Sequence, residues 1–446
     1  MRKFLYVSYY FPPSGGPGVQ RPLKLSRYLP ASHWQPTIVT VDPDYAAYPS
    51  LDPTLLAEVP ADLDVRRTRA WDPYAAYARL LGSEKKSVVS VGFVGEGKPG
   101  PKQLLARFIR ANVFVPDARI GWVPFATRSL RRLAATGEYD LIFSTGPPHS
   151  THLAARRVAR QFDLPWVADF RDPWTEIYYY NELPALPPAR ALDRALERKV
   201  IEGADAVVVV TPSVQRRLDE RGFVLQSELI PNGFDPEDFA GPAPAVDPTL
   251  IRHVGNLGPT QSLNALARVL SAMPTAPDGR RHDVPPFRVS FVGAVDPTVL
   301  APFGGPDLAD RCSVELTVPH EAAVARMRSA GILLLVVPHS PGAEAHVAGK
   351  LYEYFAAGRP VLGIGPTNGD AADLLREYGA GEMFNWDDAE GITSWLVRYA
   401  ADVSEGFVPF GARAERVERF SRRGQAAHLA ALFDRLMIER KARSRA

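Results

Sequence analysis

Residues 350 to 365 read KLYEYFAAGRPVLGIG, and this stretch decides the fold class that the sequence predicts. It follows an apolar run, Ile332–Val337, and predicts a short helix, a glycine break and a buried strand. Lys350 and Glu353 lie three residues apart and therefore share one helix face. A helix N-terminus and a lysine attract phosphate, whereas a carboxylate accepts hydrogen bonds from ribose hydroxyls. The pattern indicates a nucleoside diphosphate site, although an ordinary exposed Lys–Glu pair fits it too.

Strands and helices alternate through most of the chain. Near-continuous β-branched runs such as Ala206–Val210 are typical of strands buried on both faces of a parallel sheet. A stretch rich in proline, glycine and aspartate, residues 228–248, separates two such series and predicts a linker. We therefore predict an α/β protein with two Rossmann-like domains, residues 1–230 and 231–410. Residues 411–446 predict a terminal helix.

The composition is typical of a globular enzyme and excludes several other classes. The chain has 446 residues and a formal net charge of +2, so its overall charge does not indicate a nucleic-acid partner. A single cysteine, Cys312, excludes a disulfide framework and a thiolate metal cluster. No run of about 18 apolar residues occurs, and the first residues predict a strand rather than a leader peptide. We therefore expect a cytoplasmic protein.

The segment Leu104–Leu133 has two open interpretations. It mixes large apolar side chains with arginines, which suits the surface of an anionic membrane. It equally suits a pair of core helices with a basic solvated face, because Pro116 and Pro124 interrupt any single long helix. Peripheral contact with the inner face of a membrane is therefore left open. The preceding residues, Ser83–Lys102, are polar and glycine-rich and predict a loop.

The first βα connection carries a glycine-rich loop. Gly15, Gly16 and Gly18 permit a tight turn and the close approach of a ligand to the backbone. Arg21 adds positive charge near the start of the following helix, where N–H groups are free. Neither a Walker loop nor a GxGxxG fingerprint is present, so a plain turn fits equally well.

Polar residues also follow the fourth and fifth predicted strands. His149 follows the fourth strand, and Asp169, Arg171 and Asp172 stand at the end of the fifth. The carboxyl ends of parallel strands are where α/β proteins bind ligands, so these side chains could share one cleft. Asp169 or Asp172 could take a proton from an acceptor hydroxyl, and Arg171 could hold a charged group. An Asp–Arg pair that merely joins two loops is the alternative.

Metal and hydrolase sites find little support. The nine histidines show no HExxH spacing, and no GxSxG elbow occurs. The DxD patterns at Asp42–Asp44 and Asp62–Asp64 stand in turn-rich contexts. We predict no metal site.

Five motifs, in order along the chain, resemble those of the retaining glycosyltransferases of family 4, which have the GT-B fold. They are FPPSGGPGVQR (residues 11–21), DFRDPW (169–174), IPNGFDPEDF (230–239), HVGNLG (253–258) and the stretch quoted first. The resemblance implies two Rossmann-like domains that face each other across a cleft. It also implies that the terminal helix crosses back to the first domain. The donor would bind to the second domain and the acceptor to the first.

The resemblance also implies roles for individual residues. Glu353 matches the ribose-binding glutamate of the family, and Gly15 and Gly16 match its glycine loop. The first of two family glutamates is absent, since Ala345 stands at that spacing. The predicted donor-binding residues are Glu353, Lys350, Gly258, Asn256, Gly349 and Leu351. The predicted catalytic residues are Asp172, His149, Asp169 and Arg171, and the predicted phosphate and acceptor loop holds Gly15, Gly16 and Arg21.

We therefore expect a glycosyltransferase that moves a sugar from a nucleoside diphosphate to a hydroxyl group, with retention at the anomeric carbon. The acceptor would be a glycan, a lipid-linked molecule or a small molecule, in glycan, glycolipid or cell-envelope polysaccharide biosynthesis. No metal and no cofactor are expected, because cationic side chains and helix N-termini stabilise the departing diphosphate. A nucleotide-sugar epimerase and a non-catalytic nucleotide-sugar-binding protein stay open as alternatives.

Overall fold

The computed structural model describes residues 1–71, 101–177, 180, 183–223, 227–273, 286–407 and 409–443. The chain divides into two compact units. The N-terminal unit comprises Met1–Asn232 and Arg422–Ala446, and the C-terminal unit comprises Gly233–Ser421. The predicted domain boundary, between residues 230 and 231, lies two residues before this division. Residues 411–421, which the prediction grouped with the terminal helix, lie in the C-terminal unit instead.

The N-terminal unit is built on a parallel sheet. Its strands are β1 Arg2–Val7, β2 Trp34–Val41, β3 Asp64–Thr68, β4 Leu141–Gly146, β5 Trp166–Phe170, β6 Ala206–Val209 and β7 Ser227–Leu229. Within the described residues the sheet has seven strands in the order β3-β2-β1-β4-β5-β6-β7. The helices include Pro17–Tyr28, Pro101–Val113, Val123–Ala134, Ser150–Phe162, Pro187–Ile201, Pro212–Glu220 and Arg422–Arg443. The order reverses between β1 and β4, which is where Rossmann-like sheets open a ligand crevice.

The C-terminal unit repeats this plan. Its strands are β8 Asp247–Val254, β9 Arg288–Val292, β10 Cys312–Glu315, β11 Ala330–Val336, β12 Val361–Ile364 and β13 Gly381–Phe384. In the part of the unit that the structure describes, they form one parallel sheet in the order β10-β9-β8-β11-β12-β13. The helices include Asn264–Ala272, Pro297–Leu300, His320–Ser329, Lys350–Ala357, Asp370–Tyr378, Ala389–Ser404 and Ala414–Val417. Here the order reverses between β8 and β11.

Both sheets are buried on their two faces. Every residue of β6 and of β11 is buried, as expected for apolar runs without polar alternation. Each sheet lies between two apolar clusters of its own unit. The predicted α/β class with two Rossmann-like domains is therefore confirmed.

One strand differs from the sequence-based expectation, and the terminal helix lies with the first domain as the resemblance implied. β7 overlaps the start of the predicted linker. The sequence did not predict this strand, because SEL carries little apolar signal and only its pairing with β6 defines it. The terminal helix Arg422–Arg443 is part of the N-terminal core. The ring of Phe433 packs against those of Phe4, Trp34 and Phe143 at centroid distances of 5.1–5.6 Å.

The segment Leu104–Leu133 forms two helices that differ in burial. Its second helix, Val123–Ala134, buries Val123, Ala126 and Leu130 in the core of the N-terminal unit. Its first helix, Pro101–Val113, has no buried residue among the side chains described. Of the predicted loop Ser83–Lys102, residues 83–100 lie outside the described part of the chain, and the first helix begins at Pro101. Among the described helices, none combines the length and the apolar character that a membrane span requires.

Candidate functional site

The helix Lys350–Ala357 is fixed to the two central strands of the C-terminal unit. The hydroxyl of Tyr354 accepts a hydrogen bond from the amide of Val254 in β8 (3.1 Å) and donates one to the carbonyl of Leu334 in β11 (3.3 Å). Leu351 and Phe355 are buried against the sheet. The helix therefore begins at the point where the strand order reverses, which is the usual ligand position of such sheets.

The ammonium group of Lys350 is held by a buried histidine. Lys350 Nζ lies 2.9 Å from His253 Nε2, and His253 Nδ1 lies 2.8 Å from the carbonyl oxygen of Leu334. Because a carbonyl only accepts, His253 Nδ1 carries the proton and Nε2 accepts from the ammonium. Burial, with a further effect of Lys350, holds the pKa of His253 well below its usual value. Burial also lowers the pKa of Lys350 to about 8.

Gly255 leaves room for that ammonium group. It directly follows β8 with a φ of 118°, and a Cβ at this position would lie 2.5 Å from Lys350 Nζ. Gly293 follows β9 with a φ of 131°. A Cβ added at Gly293 would lie 2.6 Å from the Gly255 carbonyl oxygen. Lys350 therefore lies over bare backbone, which an oxygen-rich ligand can approach closely.

Two predicted donor-binding residues already have hydrogen-bond partners in the loops after β8 and β9. The amide of Gly258 donates to Gln261 Oε1 (2.8 Å), and Asn256 Oδ1 accepts from the amide of Ala294 (3.1 Å). These contacts stabilise the loop after β8 and join it to the loop after β9. The structure therefore gives Gly258 and Asn256 a loop-forming role, and their contact with a donor stays a prediction.

The other predicted donor residues lie at the start of the helix. Gly349 is exposed, with open space where a Cβ would stand. Leu351 points into the core, and its amide donates to the carbonyl of Ala348 (3.0 Å). Glu353 is half-buried one turn after Lys350, and its charge favours the charged form of that lysine. Lys350, Gly349 and Glu353 therefore remain the candidates for ligand contact.

In the N-terminal unit, Arg21 and Asp169 form a buried ion pair. Arg21 Nε and Nη2 donate to the two carboxylate oxygens of Asp169 at 3.0 and 2.9 Å, and Thr145 Oγ1 donates to the same carboxylate. Arg21 also donates to the carbonyls of Ile230 and Pro231. Arg21 is 1% exposed and Asp169 is inaccessible. Their predicted roles in phosphate contact and catalysis do not fit this position, because the pair is closed to ligands.

The glycine loop after β1 packs on a neighbouring segment. The amide of Gly15 donates to the carbonyl of Ser50 (2.9 Å), and a Cβ at Gly15 would lie 2.8 Å from Ser50 Oγ. Gly16 is exposed with a φ of 85° and precedes the helix Pro17–Tyr28 without a capping side chain. The backbone at Gly16 is therefore the part of this loop that a ligand can reach.

Arg171 joins the loops that follow β1 and β4. Its guanidinium donates to the carbonyls of Gly18 (2.7 Å), Gly146 (3.2 Å) and Pro147 (2.6 Å). Arg171 is 9% exposed, and burial lowers its pKa. It therefore holds the loops that carry His149 rather than offering a free cation.

His149 and Asp172 are the predicted catalytic residues that make no hydrogen bond to another side chain in the part of the chain that the structure describes. The ring of His149 stacks on Trp174 at a centroid distance of 4.8 Å and hydrogen-bonds to the Pro173 backbone. Its Nδ1 has no partner among the described residues, and burial holds its pKa well below the usual value. Asp172 is half-buried, and burial raises its pKa despite the charge of Arg171. A neutral imidazole with an unused lone pair can accept a hydrogen bond from a hydroxyl group.

A buried carboxylate positions the tryptophan beneath His149. Trp174 Nε1 donates to Asp193 Oδ1 (2.7 Å) on the helix Pro187–Ile201. Nearby, Glu197 accepts from Thr175 Oγ1 (2.7 Å) and from Arg221 (2.6 Å). Burial raises the pKa of Asp193 to about 6. The loop after β5 is therefore held in place by two inward-facing acids.

Asp193→Asn tests this arrangement through stability. Because the pKa of Asp193 is raised, its contribution to stability is present at low pH and is lost as the pH rises through 6. Asparagine keeps an oxygen for Trp174 and cannot become charged. We expect the variant to be more stable than the parent at pH 8 by up to about 3 kcal/mol, and equal to it near pH 4. Urea unfolding at both pH values measures this, and a clear loss of stability at pH 8 would refute the assignment.

Sequence reasoning missed several groups that shape these sites. His253 and Gly255 stand in the motif HVGNLG, and strand alternation there could have indicated an inward-facing histidine. His346, whose pKa is lowered by burial and by Lys350, and the Trp174–Asp193 pair left no local signal. In the part of the chain that the structure describes, no group of three or more His, Cys, Asp or Glu side chains is arranged to hold a metal.

Comparison with known proteins identifies the class. The model of the family described as Glycosyltransferase Family 4 matches residues 88–238. This chain is a glycosyltransferase whose residues 88–238 match the family 4 model. No curated protein matches the glycosyltransferase in sequence.

Solved structures share the fold of this glycosyltransferase over its whole length. Sucrose-phosphate synthase from Thermosynechococcus elongatus is 16% identical, with 98% of this chain and 100% of that chain covered and a TM-score of 0.60. Anabaena HepE, in complex with UDP and glucose, is 12% identical, with coverages of 97% and 100% and a TM-score of 0.59. α,α-Trehalose 6-phosphate synthase from Burkholderia multivorans is 12% identical, with coverages of 100% and 98% and a TM-score of 0.57. The fold is therefore GT-B.

Proposed function

We propose that this glycosyltransferase uses a nucleoside diphosphate sugar as its donor and that the C-terminal unit binds the diphosphate at Lys350. The observation that carries the proposal is the Lys350 ammonium lying over the bare backbone of Gly255, where β8 and β11 diverge. An ammonium has three N–H donors. Among the described residues one of them meets His253, so two are left for phosphate oxygens. The binding of UDP by HepE, which shares the fold, supports a donor of this class.

The charge of the C-terminal unit makes this one ammonium important. The unit contains 24 Asp and Glu residues against 15 Lys and Arg, a formal net charge of −9, and Lys350 is its only lysine in the sequence. A diphosphate entering such a field needs a local cation to offset the repulsion. Lys350 meets that need, and the N-terminus of its helix adds a partial positive charge.

Glu353 would bind the ribose in the same proposal. It lies one turn after Lys350, so one helix presents a cation to the diphosphate and an acid to the sugar of the nucleoside. A carboxylate accepts hydrogen bonds from two adjacent hydroxyls, as acids do in dinucleotide folds. His253 positions Lys350 and does not itself contact the ligand.

On the acceptor side, we assign the Asp172 carboxylate to orienting the hydroxyl that attacks, since His149 Nδ1 is buried. The bond between the anomeric carbon and the diphosphate oxygen breaks, and a bond to the acceptor oxygen forms. The acceptor proton passes to the departing diphosphate, whose charge Lys350 stabilises. Retention of configuration and a role in glycan, glycolipid or cell-envelope polysaccharide synthesis follow from the family resemblance and belong to this proposal.

The pH dependence of nucleotide binding tests the role of Lys350. With a pKa of about 8, Lys350 is mostly charged at pH 7 and mostly neutral at pH 9. We expect the affinity for UDP to fall about tenfold between these pH values, because the neutral amine has lost its charge. Calorimetric titration at each pH measures this. The Lys350→Met variant, which has no group to titrate there, should show a flat profile, and the same tenfold fall in that variant would contradict the assignment.

Donor turnover separates the proposal from its rivals. We expect slow release of free nucleoside diphosphate when the chain is incubated with one of the UDP-, GDP- or dTDP-sugars. Release that accelerates with an added acceptor extract would support transfer. An epimerised donor would indicate an epimerase, and tight binding with neither product would indicate a binding protein.

A further inference from the structure

Two helices of the N-terminal unit expose a group of large apolar side chains. On the helix Pro101–Val113, four such residues are between 41% and 65% exposed, and none of the side chains described there is buried. Two leucines at and near the start of the helix Pro187–Ile201 are about half exposed. We call these residues the helical patch: Leu104, Leu105, Phe108, Val113, Leu186 and Leu192. Apolar side chains grouped in this way on a surface mark an interaction site.

Asn112 joins the two parts of the helical patch into one surface. Its Nδ2 donates to the carbonyl of Pro184 (2.9 Å), and its Oδ1 accepts from the amide of Leu186 (2.7 Å). Asn112 therefore fixes the first helix beside the start of the second. The patch is held by hydrogen bonds at its centre while its apolar side chains stay in water.

The charges around the helical patch are positive. The helix Pro101–Val113 contains no Asp or Glu, and in helical projection Arg107 flanks Leu104 while Arg110 lies on the side opposite Phe108. In the helix Pro187–Ile201 the only two acids, Asp193 and Glu197, are 7% and 2% exposed and are turned inward. The acids are therefore withdrawn from the surface that carries the patch.

Basic side chains of the second helix remain on the outside. Arg194, Arg198 and Lys199 are exposed, and Glu202 lies 3.8 Å from Arg198. The N-terminal unit as a whole contains 37 Lys and Arg residues against 26 Asp and Glu, a formal net charge of +11. The apolar patch therefore stands in a positive field, opposite in sign to that of the C-terminal unit.

We propose that the helical patch docks the glycosyltransferase on an anionic lipid surface. Leucine and phenylalanine side chains enter the boundary between headgroups and acyl chains, and the surrounding arginines and lysines pair with anionic headgroups. An apolar patch with mostly basic residues beside it fits a surface of negative charge better than it fits a second copy of itself, because the net positive charges of two copies would repel. None of the patch residues is assigned to donor or acceptor binding, so the inference stands independently of the proposed chemistry.

Vesicle binding by the full chain tests this inference. The chain is mixed with phosphatidylcholine vesicles that contain no or 30 mol% phosphatidylglycerol (about a third anionic lipid), and the bound fraction is measured by flotation. We expect binding to the anionic vesicles that weakens as salt is raised. Leu104→Ser/Phe108→Ser should reduce that binding at least tenfold, because two inserted side chains are lost. Arg194→Glu/Lys199→Glu should reduce it by reversing two charges at the surface.

A matched control and an oligomer measurement make the result decisive. Leu316→Ser removes a leucine that is 81% exposed in the C-terminal unit, and it should leave vesicle binding unchanged. All replaced side chains are exposed, so melting temperatures should stay close to that of the parent. Absence of binding to anionic vesicles, equal binding by the patch variants, or a parent dimer that Leu104→Ser/Phe108→Ser converts to a monomer would each overturn the proposal.

Discussion

Lys350→Met is expected to weaken UDP binding roughly 10- to 150-fold. The ammonium contacts made by Lys350 are charge-assisted, and the loss of such a hydrogen bond costs about 1.5–3 kcal/mol. The net negative charge of the C-terminal unit places the expected result toward the upper end of this range, because its only lysine is removed. The protein should remain folded, since methionine has a similar length and avoids leaving a half-buried charge without a partner. Calorimetry with UDP and kcat/KM with the donor sugar both measure the effect.

Three further variants, two of them controls, locate the effect at the ammonium group. Gly255→Ala places a Cβ 2.5 Å from Lys350 Nζ and strains a φ of 118°, so it should also weaken UDP binding. Gly406→Ala has a positive φ of 82° with open space around it, and it controls for backbone strain alone. Arg398→Met removes an exposed cation of the same unit and should leave UDP affinity unchanged. If Lys350→Met and the parent bound UDP with equal affinity, the assignment of Lys350 to the diphosphate site would be wrong.

Arg21→Met is expected to lower the free energy of unfolding by about 3–5 kcal/mol. The substitution leaves Asp169 buried with no opposite charge, which is the costly way to break a buried ion pair. It also removes the donors to the carbonyls of Ile230 and Pro231. Urea unfolding of the variant and the parent measures it.

The exposed pair Arg376–Asp373 provides the comparison. Its side chains are 69% and 61% exposed, so Arg376→Met should cost less than about 1 kcal/mol. If Arg21 bound phosphate, as the sequence suggested, Arg21→Met would weaken UDP binding and spare stability. Intact stability of Arg21→Met would therefore contradict the structural role assigned to the pair.

The fold could be predicted from the sequence because its signals are local. The run Ala206–Val210 corresponds to β6, and the stretch KLYEYFAAGRPVLGIG to the helix Lys350–Ala357 and β12, since each pattern is bounded by turn residues. β7 could not be predicted, because three residues with one apolar side chain carry no periodicity. Residues 411–421 belong to the C-terminal unit because Phe420 packs in the apolar core of that unit. The spacing of residues in the sequence does not show in which core Phe420 packs.

The site was predictable only in part, because its contacts join distant parts of the chain. The Lys350–Glu353 pair lies on one helix turn and could be recognised by spacing. The partner of Lys350, His253, lies 97 residues away, and that of Arg21, Asp169, lies 148 residues away. A motif therefore indicates that Arg21 and Asp169 are important without showing that they hold each other. The same limit applies to Trp174 and Asp193, whose contact appears only when the helix after β5 is in place.

A crystal structure of the chain with bound UDP tests the central claim most directly. The account predicts a phosphate oxygen within hydrogen-bonding distance of Lys350 Nζ, beside the backbone of Gly255, with the ribose hydroxyls at Glu353. A diphosphate bound elsewhere, with Lys350 Nζ still in contact with His253 alone, would contradict it.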